Sequence, residues 1–239
     1  MASPPSRRVA RFSGAERALH WLLAVTFFLM LGSGLALFVP DLATVVARPV
    51  AKAWHINAAL ALAAGVMALF AAHWSRLRAT MREMDRFDRD DARWLLGWSR
   101  LWRREPAPPR GRFNAGQKLN SALVAGLMVV MFVTGGLLWL GERDTRFRFD
   151  GTVIVHDWAT WILVALVVGH LYLALIHRST RPALRGMVVG DVDREWARRH
   201  HPKWLEADEA SGDRPMKLPA GPHAHAVADE RTDEGQGVP

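Results

Sequence analysis

Four long uncharged stretches constrain this chain more than any other feature of its sequence. Counting His as neutral, they span residues 18–40, 53–75, 119–141 and 158–177. An apolar helix needs about 20 residues to cross the roughly 30 Å of hydrocarbon in a bilayer, and each stretch reaches that length. Backbone groups in lipid must be hydrogen-bonded internally, so each stretch is expected to cross as a helix. The sequence therefore predicts an all-α membrane protein with a four-transmembrane-helix bundle.

The composition narrows the kind of site that such a bundle can hold. The net charge is +8, but the 50% of residues that are hydrophobic are gathered into long runs, which excludes a soluble nucleic-acid binder. The sequence contains no Cys, so this chain itself holds no disulfide, no Cys-ligated iron–sulfur cluster, no covalent c-type haem and no thiolate haem ligand. Any metal must rely mainly on His, Met, Tyr or carboxylate ligands.

The distribution of Lys and Arg predicts which way the bundle lies in the membrane. Residues 1–17, before the first stretch, hold four of these residues, segment 76–118 holds twelve and segment 178–205 holds seven, whereas the two other connections hold two and three. Cytoplasmic loops carry the excess of Lys and Arg. The N and C termini and the long middle segment are therefore expected to be cytoplasmic.

These observations divide the chain into four predicted parts. Residues 1–13 form a cytoplasmic basic tail, and residues 14–178 form the transmembrane domain, with helices expected to start near Gly14, Trp54 and Ala115 and at the fourth stretch. Residues 179–206 form a basic segment that contacts a partner. Residues 207–239, rich in Gly, Pro, Ala and charge, are expected to be a disordered tail.

Segment 76–118 also carries apolar residues on one helical face among Arg and Asp. This pattern predicts an amphipathic helix on the cytoplasmic side, lying in the membrane interface. Packing of the same face against a soluble partner is the alternative. The apolar face consists of Trp94, Leu95, Trp98, Leu101 and Trp102.

Two histidines near the fourth stretch project from nearly the same side of its helix. His156 and His170 are 14 positions apart, which is about 40° short of four full turns and about 21 Å along the axis. With the predicted orientation, His156 shares the outer level with His55, and His170 shares the inner level with His20. Each pair takes one imidazole from each of two helices, which suits bis-His b-type haem.

Other histidines offer alternatives to this pairing. His73 lies 18 positions, or five turns, after His55, so the second helix could instead carry two ligands. His73 and His177 both lie at the expected cytoplasmic border, where an interfacial role is the simpler interpretation. A single histidine near the end of a span is usually an interfacial residue, so the prediction depends on the matched pairs.

Four sequence blocks make the chain similar to a known family, the gamma or cytochrome b subunits of respiratory formate dehydrogenase. The resemblance covers about residues 10–207. Its most specific parts are the blocks FNAGQK, GMVVG and WARRHHPKW, which general dihaem anchors lack. The blocks are Glu16–Trp21, Phe113–Lys118, Gly186–Gly190 and Trp196–Trp204.

The resemblance implies two haem b groups held by the same four histidines, His55 with His156 near the periplasm and His20 with His170 near the cytoplasm. It also implies a site for menaquinone or ubiquinone beside His170, formed by Asn114, Gly116 and Gln117. Helix capping by Asn114 and Gln117 explains those residues equally well.

The resemblance further implies partners in the bacterial inner membrane. An iron–sulfur (beta) subunit would deliver electrons from a molybdenum or tungsten catalytic (alpha) subunit, and this chain alone would oxidise no formate. Membrane lipid and quinone are the other expected partners, and nucleic acid is not one. A dihaem anchor of a hydrogenase or thiosulfate reductase, and a membrane anchor or small transporter without a redox centre, are the alternatives.

Overall fold

The computed structural model describes residues 7–97 and 108–210 of the chain. The helices within these ranges are α1 (Gly14–Phe38), α2 (Arg48–Asp85), α3 (Arg89–Leu96), α4 (Ala115–Gly141), α5 (Thr152–Leu171), α6 (Leu184–Val188), α7 (Arg194–His200) and α8 (Pro202–Ala210). Helices α1, α2 and α4, and α5 with its extension to Ile176, are long and apolar enough to span a membrane. The predicted four-helix membrane architecture is confirmed.

Helix α1 begins at Gly14 because Ser13 and Glu16 close a capping box. The backbone N–H of Ser13 donates to Glu16 Oε2 at 2.7 Å, and the backbone N–H of Glu16 donates to Ser13 Oγ at 3.4 Å. The helix ends at Phe38, two residues before Pro40, which has no backbone N–H. These local signals explain why the helix begins at the predicted Gly14 and ends where it does.

Helix α2 is longer than the sequence suggested. It was expected to span from near Trp54 to near Trp74, but it begins at Arg48 and ends at Asp85. Its 38 residues correspond to about 57 Å, well beyond the thickness of the hydrocarbon. The backbone leaves helical geometry at His73 (φ −131°, ψ 32°) and then resumes. The predicted cytoplasmic end of this span is therefore a kink in the helix. The basic residues that follow the kink continue the same helix.

The bundle consists of two packed helical hairpins, α1 with α2 and α4 with α5. Helix α5 starts after Gly151, whose φ of +85° lies in the left-handed region that favours glycine. Beyond Leu171 the chain widens into a π-helical turn, Tyr172–Ile176, in which His177 N donates to Tyr172 O at 2.9 Å. Such turns often lie beside functional residues, and this one begins two residues after His170.

A small cap, absent from the sequence-based prediction, joins the two ends of the described chain beside the start of α1. Two three-residue strands, β1 (Arg8–Ala10) and β2 (Asp191–Asp193), pair antiparallel with Val9 opposite Val192. Together with Trp196, Ala197 and Leu205, these two valines form a buried core. Residues 8–12 and 184–205 are termed the terminal cap below. The strands are an exception to the otherwise α-helical fold.

The terminal cap changes how the ends of the chain are understood. Residues 8–12, expected within a basic tail, pack against the segment expected to contact a partner. Gly190 joins the two parts, because its carbonyl accepts from the backbone N–H groups of Arg11 and Phe12 at 2.8 and 3.0 Å. Residues 207–210, expected within the disordered tail, complete α8.

Part of the predicted amphipathic helix is present as α3. Trp94 of this helix packs against Gly116, where an added Cβ would lie 3.0 Å from the indole. Lys118 Nζ donates to Asp91 Oδ2 at 2.6 Å, which ties α3 to the start of α4. Three other residues of the predicted face lie outside the described ranges, namely Trp98, Leu101 and Trp102.

Candidate functional site

The fold brings together the two histidines predicted for the outer level. His55 lies in the second turn of α2 and His156 in the second turn of α5, and their ring centroids are 6.2 Å apart. An imidazole nitrogen bonds a metal ion at about 2.0 Å and lies about 1.1 Å from its ring centre, so two rings on opposite sides of one metal ion would have centres about 6 Å apart. The observed separation therefore fits a metal ion between the two rings.

His55 is oriented by helix α1. Its Nδ1 lies 2.9 Å from the carbonyl oxygen of Met30 and 3.3 Å from Ser33 Oγ. A carbonyl only accepts hydrogen bonds, so Nδ1 carries the ring proton and donates it. The other ring nitrogen, Nε2, keeps its lone pair for a metal ion.

His156 is oriented in the same way by helix α4. Its Nδ1 lies 2.8 Å from Thr134 Oγ1, and this hydroxyl donates its own proton to Val130 O at 2.7 Å. A hydroxyl has one proton to donate, so Thr134 accepts from His156 Nδ1. Both outer histidines are thus held with Nε2 unprotonated.

Two glycines let these rings lie close to the neighbouring helices. A Cβ at Gly34 would lie 3.3 Å from His55 Cε1, and a Cβ at Gly135 would lie 3.4 Å from His156 Cε1. The structure shows that the contact they permit is with the histidine rings.

The outer pair lines a cavity of about 990 Å³. Apolar residues of all four membrane helices form most of its wall. Its charged lining consists of three cationic residues, Arg48, Lys52 and Arg148, and three acidic ones, Glu142, Asp150 and Asp157. Lys52 also forms an ion pair with Glu142. A large cavity with a mostly apolar wall suits a flat apolar ligand.

The inner pair is also brought together. His20 of α1 and His170 of α5 have ring centroids 6.0 Å apart, which matches the outer pair. His20 packs edge-on against Trp21, whose Nε1 donates to Met187 O of the terminal cap at 3.1 Å. Among the described residues, neither inner ring has a side-chain or backbone hydrogen bond.

The rival histidines are placed apart from both pairs. His73 is exposed at the kink of α2. His177 Nδ1 lies 3.1 Å from Thr180 Oγ1 and 3.2 Å from Ser179 Oγ, in the turn that follows the π-helix. His177 therefore has a local structural role.

The three residues suggested for quinone binding lie at the start of α4. Asn114 and Gln117 form a reciprocal capping box, with Gln117 N donating to Asn114 Oδ1 at 2.9 Å and Asn114 N donating to Gln117 Oε1 at 3.0 Å. Gly116 contacts Trp94 of α3. The capping role is therefore present, and it leaves both amide NH₂ groups available as donors.

Charged groups, most of them buried, connect the N-terminal end of α1 to the terminal cap. Arg112 donates to Glu16 Oε1 at 2.8 Å and forms an ion pair with Glu83 at the same distance. Arg11 lies 3.0 Å from His201 Nε2, while His201 Nδ1 lies 2.7 Å from Gly111 O. His201 belongs to the segment that was expected to contact a partner, but its side chain is buried within this chain.

The donor set of each pair fits haem better than a free metal ion. Among residues 7–97 and 108–210, no group of three or more His, Cys or acidic side chains could hold a metal ion. Zinc sites take three or four protein ligands. Two opposed imidazoles instead complete the coordination of an iron whose other ligands come from a macrocycle.

Four membrane-spanning helices that carry two closely spaced histidine pairs define the class as a multi-pass membrane protein of b-cytochrome type. Comparison of sequences makes the class more specific, because the family described as prokaryotic cytochrome b561 matches residues 11–190. The chain belongs to this family. Membership implies that it binds haem b and places it in the bacterial inner membrane as a multi-pass protein.

Curated relatives are similar over most of the chain. The cytochrome b556(Fdn) subunit of the nitrate-inducible formate dehydrogenase of Escherichia coli strain K12 is 26% identical over 213 residues, 85% of this chain and 93% of that protein. The cytochrome b556(fdo) subunit of the same organism is 27% identical over 205 residues, 82% and 91% of the two chains. The formate dehydrogenase cytochrome b556 subunit of Haemophilus influenzae is 25% identical over 213 residues, 85% of each chain.

Sequence reasoning missed the residues that hold the outer rings. Ser33 and Thr134 are each followed by glycine, and each lies 22 positions before the histidine that it contacts. This equal spacing in two helical hairpins was the available signal. Periodicity within one helix could not reveal it, because each contact joins two helices.

Proposed function

We propose that this chain is the dihaem cytochrome b subunit of a membrane-bound formate dehydrogenase. In this role it anchors the complex and carries electrons from an iron–sulfur subunit across the membrane to a quinone that is reduced on the cytoplasmic side. The observation that carries the proposal is the presence of two opposed histidine pairs in one bundle, with ring centroids 6.2 and 6.0 Å apart. His156 and His170 put these pairs about 21 Å apart along α5, which is most of the hydrocarbon thickness.

The chain's own residues would bind and orient the cofactors. His55 and His156 would hold one haem b, and His20 and His170 the other. When bound, haem supplies a one-electron redox centre at each level. Both cationic and acidic residues line the cavity of the outer group. Of these, Arg48, Lys52 and Arg148 would be the ones to pair with the carboxylates of that group, because Glu142, Asp150 and Asp157 carry the same charge as those carboxylates. The apolar helices would exclude water between the two levels.

The identity of the complex is supported by the relatives, whose names are those of formate dehydrogenase subunits. The chain has no Cys, so the iron–sulfur centres would belong to a separate beta subunit, which in turn would receive electrons from a molybdenum or tungsten alpha subunit. This subunit alone should oxidise no formate. With both termini in the cytoplasm, the basic terminal cap and α3 would lie on the side where quinone takes up protons.

Haem content measured by difference spectra and extraction tests the proposal. The purified chain should contain two b haems. His55→Ala and His156→Ala should each lose the same one, and His20→Ala and His170→Ala should each lose the other. His73→Ala is the matched control, because its ring is exposed and belongs to neither pair.

The outcomes separate the alternatives. A single haem, or two haems retained in His170→Ala, would contradict the pairing. No haem in a folded, haem-supplied preparation would leave a membrane anchor without a redox centre. In membranes that contain the whole complex, formate should reduce the b haems, which is measured from their absorption spectrum. Reduction of the haems by hydrogen and not by formate would indicate a hydrogenase anchor.

Quinone binding at Asn114, Gly116 and Gln117 can be separated from helix capping. Asn114→Asp and Gln117→Glu keep the capping oxygens, because Asp is as good an N-cap as Asn, but they remove the amide donors. If these amides bind quinone, formate-dependent quinone reduction should fall while haem content and helix content stay unchanged. Unchanged quinone reduction would leave capping as the role of both residues.

A further inference from the structure

The outer histidines are held by two matched arrangements, one in each helical hairpin. The dipeptides Ser33-Gly34 on α1 and Thr134-Gly135 on α4 each lie one hairpin connection before the histidine that they contact. In both arrangements the hydroxyl approaches Nδ1 and the glycine lies against Cε1 of the ring. Because the same two contacts occur at both histidines of one site, we expect them to have the same function at each.

The hydrogen bonds give both outer rings the same protonation pattern. Met30 O and Thr134 Oγ1 accept from the Nδ1 protons of His55 and His156 at 2.9 and 2.8 Å. Ser33 Oγ, which donates to Leu29 O at 2.6 Å, contributes a second and longer contact to His55. Donation from Nδ1 makes Nε2 a more basic ligand and fixes the orientation of the ring.

The inner pair lacks this support. Within the part of the chain that the structure describes, the only polar or ring contacts of His20 and His170 are with each other and with Trp21. The two sites therefore have similar ring separations, 6.2 and 6.0 Å, but different hydrogen bonding. A more basic imidazole favours the oxidised form of the iron that it ligates, so the two sites should differ in reduction potential.

We infer that Thr134 and Ser33, with the carbonyl of Met30, are positioning residues that make the outer haem site the lower-potential site of the two. This inference rests on the proposed function, because it requires a haem at each level. Electrons move spontaneously from lower to higher potential, so the asymmetry favours transfer from the outer level to the inner one. The direction agrees with a donor outside and a quinone inside.

Potentiometric titration of the two b haems tests this inference. Thr134→Val is nearly isosteric but removes the acceptor for His156 Nδ1–H. Losing such a partner changes metal affinity by 10- to 100-fold in other sites. A tenfold loss of preference for the oxidised form would raise the potential of the outer haem by 59 mV, with the inner haem unchanged. Ser33→Ala should cause a smaller rise, because Met30 O remains as the acceptor for His55.

Matched variants make the test specific. Thr26→Val removes a buried hydroxyl on α1 that also donates to the carbonyl four residues earlier, at 2.7 Å, but that touches no histidine. It should shift neither potential. Thr134→Ser keeps the hydroxyl and should have the wild-type value. If Thr134→Val fails to retain haem, the rise expected for Ser33→Ala provides the measurement.

The results distinguish failure of this inference from failure of the proposed function. Two haems whose potentials do not change in Thr134→Val and Ser33→Ala would refute the inference and leave the proposed function intact. A fall in the outer potential, or a shift confined to the inner haem, would refute it as well. Absence of both haems from the unaltered chain would instead refute the function on which it rests.

Discussion

At the scale of single residues, the geometry of the outer site depends on two glycines. Gly34 and Gly135 lie where the rings of His55 and His156 contact the neighbouring helices. In the middle of a helix, glycine costs about 1 kcal/mol relative to alanine, so helix stability does not explain these choices. The space that the glycines leave for an imidazole does.

Replacing Gly34 by alanine tests that explanation. The added Cβ would lie 3.3 Å from His55 Cε1 and 3.5 Å from Nδ1, so the ring would have to move away from its hydrogen-bond partners. We expect Gly34→Ala to lower the occupancy of the outer haem severalfold, measured by haem extraction and difference spectra, without loss of helix content. The inner haem should remain.

The control lies two residues away on the same helix. At Gly32 an added Cβ would meet nothing within 4 Å, so Gly32→Ala should bind both haems. Equal haem content in the two alanine variants would show that close approach at Gly34 is not required.

At the scale of elements, the terminal cap depends on a buried histidine. Burial, followed by the charge of Arg11, lowers the pKa of His201 from 6.5 to about 3. Burial, followed by the charge of Arg112, also lowers the pKa of Arg11, to about 9, which leaves that guanidinium charged at neutral pH. His201 therefore accepts from Arg11 as a neutral ring, and its Nδ1 proton is donated to Gly111 O.

Acid should therefore loosen the terminal cap. Between pH 6.5 and pH 3 the unfolded state binds a proton at residue 201 that the folded state does not, so stability falls as the pH falls. At pH 5 the loss amounts to about 2 kcal/mol relative to neutral pH. We expect amide-exchange protection factors in β1 and β2 to drop by roughly 30-fold between pH 7.5 and pH 5.

His201→Gln is the informative variant for this prediction. Glutamine can donate and accept hydrogen bonds but does not titrate, so the dependence on pH should disappear even if the cap is somewhat less stable at neutral pH. A variant cap that still loses protection between pH 7.5 and pH 5 would show that other groups are responsible.

At the scale of the whole molecule, the charges that surround the bundle predict its orientation in the membrane. The excess of Lys and Arg lies at the end that carries α3 and the terminal cap, where Lys203 also forms an ion pair with Asp88 at 3.0 Å. Loops with this excess stay in the cytoplasm. The inner histidine pair is at the same end, because His20 lies two turns after the start of α1.

Reporter fusions test this orientation. A fluorescent protein that folds only in the cytoplasm should be bright after residue 210, and alkaline phosphatase should be active when fused in the connection between α1 and α2. The reversed pattern would exchange the outer and inner levels. It would contradict quinone reduction on the cytoplasmic side while leaving both histidine pairs intact.

The sequence alone determined the number of spans, several of their ends and the histidine pairs. Each of these predictions used a local property, one that is contained in the sequence of a single helix. The properties are hydrophobic length, capping boxes such as Ser13–Glu16 and the 3.6-residue helical repeat. His156 and His170 could be placed on one face because both belong to one helix. The distribution of Lys and Arg then predicted the membrane level of each histidine, and histidines at the same level were paired.

The tertiary structure decided which groups lie around those histidines and what joins the ends of the chain. Thr134 contacts His156 across two helices, and Arg11 contacts His201 across 190 positions of sequence. Strands β1 and β2 have three residues each, which is too short for an alternating strand pattern to be visible in the sequence. They form because each strand supplies the hydrogen-bond partners of the other. Contacts of this kind depend on how the elements pack, a property that no single segment carries.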